Sequence, residues 1–204
     1  LRAAIARAKQ LQNNELQERL TRLTRIDHVY EKMDHHLSSL GVFSLSRTAT
    51  HVILWSHYAH NHTGFCAGFQ FTEERTTHQN PYRIIGANDV FYHASNPFVE
   101  LFEGIASSNN VPPWEDVWPM LLIVGMGVKA NAWSYEEEVR IIRDEPGTVP
   151  FGPNELVEIV FGLNMPMQSR NALRRVLAGS DWTHVKFREV ARLDEFSLQI
   201  REAT

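Results

Sequence analysis

The stretch Trp133-Ser134-Tyr135-Glu136-Glu137-Glu138-Val139-Arg140-Ile141-Ile142 decides how this chain is read. Its second half, Glu138 to Arg143, alternates charged and apolar residues and then runs apolar, the pattern of a half-buried strand. Downstream, 146–154 is a loop with Pro146, Gly147, Pro150, Gly152 and Pro153. Leu156 to Phe161 then reads as a second strand, stopped by Gly162. Met167 to Ala178 is an amphipathic helix closed by Gly179, and Val185–Val190 with Phe196–Arg201 suggest a terminal hairpin. Upstream, Glu115 to Ala130 reads as a mostly buried helix begun after Pro112-Pro113. Strands are predicted at Val42–Ser46, Gly64–Phe71 and Asp89–His93. Leu16, Leu20, Leu23, Ile26, Tyr30, Met33, Leu37 and Leu40 recur at spacings of three and four, predicting a long helix that Gly41 ends.

Helices and strands follow one another without regular alternation, which predicts an α+β fold. The expected form is a mixed, largely antiparallel central sheet flanked by a long N-terminal helix and two or more shorter helices. The predicted division is a helical N-terminal segment over 1–40 and an α+β domain over 41–204, together one globular unit. The chain opens at Leu1 already in helical pattern, so an upstream portion is expected. Net charge is −4, so no overall basic field draws nucleic acid or an acidic membrane. The best apolar run, Trp118 to Val128, holds Pro119, Gly125 and Gly127 and is too short to span a bilayer. A single cysteine, Cys66, excludes an internal disulfide and a cysteine-based zinc cage, and favours a reducing cytoplasm.

A second dense motif lies upstream, Leu54-Trp55-Ser56-His57-Tyr58-Ala59-His60-Asn61-His62-Thr63-Gly64-Phe65, continuing to Cys66, Gly68 and Phe69. This run resembles the hallmark of a widespread bacterial family catalogued as domain of unknown function 2971. The resemblance extends to Lys129, Trp133, Tyr135, Glu136, Glu138, Arg140 and Ile141, and to the strand ending at Gly162, covering about Val42 to Asn164. The family's usual opening, a short strand with an Asn-Asp-Pro-Phe segment, is not found before Leu16. Members of that family are largely uncharacterised, so the resemblance implies a fold more than a reaction.

Chemistry is read from the residues. Glu136, Glu138 and Arg140 alternate, so on a strand they share one face. Two carboxylates so placed can divide labour, one holding a ribose hydroxyl while the other stabilises a cation or takes a proton. That arrangement is similar to the Glu-x-Glu of ADP-ribosyltransferases. Ser44 and Ser46 match, in type and order, the Ser-x-Ser strand of those enzymes. The resemblance implies NAD as cofactor, with Glu138 and Glu136 catalytic and Ser44, Ser46, Trp55, His57 and Tyr58 lining its pocket. The acceptor is open: protein, nucleic acid or small molecule. The alternative is a non-catalytic recognition or regulatory domain of a bacterial defence or toxin system, in which Glu136, Glu138 and Arg140 form a structural ion pair on a half-exposed strand. A third reading is a metal hydrolase using His57, His60 and His62. Here no metal is expected, because a histidine anchoring the turn before Gly64 by backbone hydrogen bonds accounts for them, with Trp55 a core aromatic whose indole N–H is satisfied. Arg170, Arg174 and Arg175 read as the solvated face of their helix.

Overall fold

In the computed structural model, residues 31–32, 34–71, 84–97, 99, 119, 124–195 and 197–203 are described. Strand β6 (Glu138–Arg143) is the hub of the first sheet. It is paired antiparallel on one side with β1 (Gly41–Ser46) and on the other with β3 (Ile84–Asp89). Consecutive residues of a strand point to opposite faces, and Ile141 and Ile142 are both in the core, so β6 is covered on both faces there. The register sets Ser46 opposite Glu138 and Ser44 opposite Arg140. Gly41, where the first helix was expected to stop, is the first residue of β1. A side chain there would strike the Glu145 carbonyl.

A second sheet runs in the order β2 (Phe65–Phe69), β7 (Leu156–Phe161), β8 (Lys186–Arg192), β9 (Leu198–Glu202). The β7–β8 pair is parallel and the outer pairs are antiparallel. Parallel neighbours need a crossover, and helix α2 (Met167–Val176) lies in the connection between them. Strand β7 is buried on both faces. Leu156, Ile159 and Phe161 pack with Met165, Val185 and the helical Leu173. Val160 packs with Trp55 and Val190 on the other side. Trp55 belongs to α1 (Val52–Tyr58), so the sheet is sandwiched between α1 and α2. Phe43 of β1 meets Phe69 of β2 edge-on, ring centroids 6.3 Å apart, joining the two sheets. A short parallel ribbon, β4 (Phe91–His93) with β5 (Val128–Ala130), completes the strands.

The α+β class holds, with strands at Glu138–Arg143 and Leu156–Phe161 as read and an antiparallel pair at the C-terminal end. Other expectations are corrected. Pairing is mixed and largely antiparallel as expected, but among the described residues the strands form three sheets rather than one central sheet. The stretch taken as one strand at 89–93 is broken at Val90, whose buried side chain turns inward while its N–H bonds the Glu138 carbonyl at 2.9 Å. The helix expected to continue to Ala130 gives way to β5 at Val128, because the pairing with β4 takes over the backbone there. Residues 31–32 and 34–38 are helical, and the expected N-terminal helix before them, at 16–30, lies outside the described residues. Among the described residues no helix is long and apolar enough to cross a membrane.

Candidate functional site

The end of α1 is built by an unusual turn. His60, Asn61 and His62 all have positive φ, at 47°, 53° and 67°, a conformation that costs non-glycine residues energy and persists only when neighbours enforce it. The enforcement is visible. His62 N–H bonds the Trp55 carbonyl at 3.1 Å and Gly64 N–H bonds that of Ala59 at 2.9 Å. The turn then docks on β7's end, where Gly162 N–H reaches Gly64 O and Asn164 N–H reaches His62 O, both at 2.9 Å. A Cβ on Gly162 would collide with the His62 carbonyl, so the strand-ending glycine is required by close backbone approach. The His62 ring lies nearly parallel to Trp55, centroids 6.4 Å apart, and its Nε2 is 3.3 Å from Ser56 Oγ. Burial, and then the charge of Arg192, lower the His62 imidazole below its ordinary range, which keeps it neutral. The Trp55 indole donates to the Ala49 carbonyl at 2.8 Å, as the sequence suggested.

Helix α1 and Ala59 after it form one wall of an open cavity of about 420 Å³ between α1, β1 and β2, within the size range of small-ligand sites. Leu45, Leu54, Trp55, Ala59 and Phe65 make its apolar side. Its polar end carries Ser44, Ser46, Tyr58, Lys129, Glu136 and Glu138. Six of the seven residues expected at a site therefore line one cavity. His57 does not. It lies on another side of α1, its ring 6.3 Å from that of Trp133, because one step along a helix rotates a side chain by about 100°.

The two carboxylates converge by a route different from the one expected. Glu136 is not on the strand: it ends a 3₁₀ turn (Asn131–Glu136), Glu137 takes a left-handed conformation with φ 44°, and Glu138 opens β6. Both glutamates are 5% exposed, so the expected ion pair of Glu138 with Arg140 forms but is buried instead of lying on a half-exposed strand. Lys129, on β5, bridges them, donating to Glu136 Oε2 and, at 2.9 Å, to Glu138 Oε2. Arg140 grips Glu138 with Nε on Oε1 at 2.8 Å and Nη2 on Oε2 at 3.2 Å, and donates its Nη1 to the Met126 carbonyl at 2.7 Å. Tyr58 Oη donates to Glu136 Oε1 at 2.8 Å. Ser46 Oγ donates to the Glu136 carbonyl at 2.6 Å, and Tyr92 Oη accepts the Glu138 N–H at 2.9 Å.

These contacts set the charge states. Burial opposes ionisation of Glu138, but hydrogen bonds from Arg140, Ser44 and Lys129 overcome it and hold the carboxyl at about 2. Burial likewise works against the Lys129 ammonium, and Glu136 with Glu138 outweigh it, raising the lysine above its ordinary value. The hydrogen bond to Glu136, then burial, raise the Tyr58 phenol. At neutral pH the cavity end is therefore a carboxylate at Glu138, an ammonium and a neutral phenol. Among the described residues no group of three His, Cys, Asp or Glu side chains is placed to hold a metal ion.

Lys129 and Tyr92 were missed as site residues. Lys129 stood among the matched family positions but had no assigned role, and nothing local in the sequence signals that a lysine on a separate ribbon reaches both glutamates.

The model of a family described as protein of unknown function (DUF2971) matches residues 54–141. The matched segment runs from α1 into β6, taking in Trp55, Tyr58, Lys129, Glu136 and Glu138 and leaving Ser44 and Ser46 outside it. No curated protein and no solved structure matches the chain.

Proposed function

We propose that the cavity is a nucleotide site of ADP-ribosyltransferase type, taking the nicotinamide-ribose end of NAD. The observation that carries this reading is a buried, ionised Glu138 at the polar end of a cavity whose other wall is apolar. In the reaction the glycosidic C–N bond breaks and its electron pair leaves with nicotinamide. Positive charge develops on the anomeric carbon, and an acceptor oxygen or nitrogen then forms the new bond and releases its proton to solvent. A carboxyl held at about 2 is a poor base at neutral pH, so the role of Glu138 is electrostatic stabilisation of that charge. Glu136, held by Lys129 and Tyr58, is placed to accept a ribose hydroxyl. The apolar side formed by Leu54, Trp55 and Phe65 gives the planar ring a dry surface. The acceptor is a protein, nucleic acid or small molecule.

One observation favours a second reading, a recognition domain whose glutamates hold the fold. Each carboxylate already has strong donors, Glu138 from Arg140 and Lys129 and Glu136 from Lys129 and Tyr58. The test is NAD binding and nicotinamide release by the full chain and by Glu138→Gln, measured at a temperature where circular dichroism shows both folded. The enzyme reading expects turnover in the wild type and a loss of at least about 100-fold in the variant. A folded wild-type chain that neither binds nor cleaves NAD leaves the recognition reading standing alone.

A further inference from the structure

Lys129 takes no part in the bond changes just described, yet it is the described residue on which the geometry of the cavity converges. Two carboxylates that approach one point in a buried setting do not both stay charged unless a cation lies between them, since like charges at close range push one carboxyl toward its protonated form. Arg140 serves Glu138 with two nitrogens. Among the described residues, the cation that touches Glu136 is Lys129. Its ammonium also reaches Glu138 at 2.9 Å, and the Trp133 ring backs it at 5.2 Å.

The ammonium is delivered by a dedicated piece of backbone. Lys129 sits in the middle of β5, opposite Tyr92 of β4, and Tyr92 Oη takes the backbone N–H of Glu138. One short ribbon thus holds Glu138 by its main chain through Tyr92 and by its side chain through Lys129. Among the described residues Lys129 is also the one shared by the linings of the main cavity and of a second cavity of about 320 Å³ beside 93–97. It is therefore a partition as well as a bridge.

We propose that Lys129 is the positioning residue of the cavity, its ammonium lying between Glu136 and Glu138 and turning both carboxylates toward one point. The kinetic consequences rest on the ADP-ribosyltransferase reading of the cavity; the electrostatic consequence does not. Removing the charge leaves Arg140 on Glu138 but takes away the cation between the two side chains, and like charges at close range raise the proton affinity of such a pair.

The experiment compares wild type, Lys129→Met and Lys129→Arg as full chains, with ¹³C NMR titration of the glutamate carboxyls and with kcat and KM for NAD against pH. In Lys129→Met one of the two carboxyls is expected to titrate at least about one pH unit higher than in wild type. The acid limb of kcat should move up with it, with kcat down about 10- to 100-fold and KM changed much less. Lys129→Arg should keep the wild-type carboxyl titration and most of kcat. A lysine that merely holds the fold would lower thermal stability in the Met variant without moving either titration or limb, and that result overturns the proposal. If Lys129→Met does not fold, Lys129→Ala refolded with propylammonium chloride should regain near-ultraviolet circular dichroism, and failure to do so also overturns it. If wild type shows no NAD chemistry, the functional reading falls and the carboxyl titration alone decides the role of Lys129.

Discussion

Replacing Glu138 by glutamine tests the electrostatics of the site more sharply than any other single change. Glutamine keeps the size and one acceptor oxygen but cannot ionise, so Arg140 and Lys129 lose a charged partner inside a region that is 5% exposed at this residue. The magnitude follows from linkage. The carboxyl stands at about 2 when folded against 4.5 ordinarily, and at about 1.4 kcal/mol per pH unit the difference corresponds to about 3 kcal/mol. Removing one partner of a buried pair typically costs about 3–5 kcal/mol, in agreement. The sign is fixed: a depressed folded-state value stabilises the protein above pH 4.5 and the contribution fades as pH falls toward about 2. Urea unfolding of wild type and Glu138→Gln across pH 7 to 3 should show a gap of about 3 kcal/mol at neutral pH, with less than half of it left at pH 3. A gap that stays constant over this range, or a variant as stable as wild type at pH 7, refutes the reasoning.

The remaining expectations concern the turn after α1 and the cavity wall. Gly162→Ala places a methyl group against the His62 and Gly64 carbonyls, which are backbone and cannot swing away. A loss of roughly 3 kcal/mol in chemical denaturation is expected, and a variant within about 0.5 kcal/mol of wild type would show that the left-handed turn does not need this close approach. Tyr58→Phe removes the donor to Glu136 while the ring is 68% exposed, so unfolding should cost no more than about 1 kcal/mol. Nicotinamide release should nonetheless fall, and unchanged turnover would remove Tyr58 from the site.

Local pattern carried much of the fold. Leu156–Phe161 reads as a strand because a short apolar run bounded by a Pro- and Gly-rich loop and by Gly162 has few other ways to bury itself, and it forms as read. The same holds for Glu138–Arg143. What escaped depends on backbone conformations that sequence signals weakly. Glu137 adopts φ 44° although glutamate rarely does so, and this single residue takes Glu136 off the strand yet leaves its side chain beside Glu138. His57 stands in the same dense motif as Trp55 and Tyr58 but does not line the cavity, because the helix turns neighbouring side chains to different faces.

The sequence by itself determined the α+β class and the position of the strands that carry Ser44, Ser46 and Glu138. Periodicity is a local property, legible without knowing what lies opposite. Only the tertiary structure decided that three sheets form instead of one, and that Lys129 of the β4–β5 ribbon reaches between Glu136 and Glu138. Burial and charge at a site are sums over neighbours contributed by distant segments. The ionised state of Glu138 therefore depends on Ser44, Lys129 and Arg140 arriving together, which no stretch of the chain specifies alone.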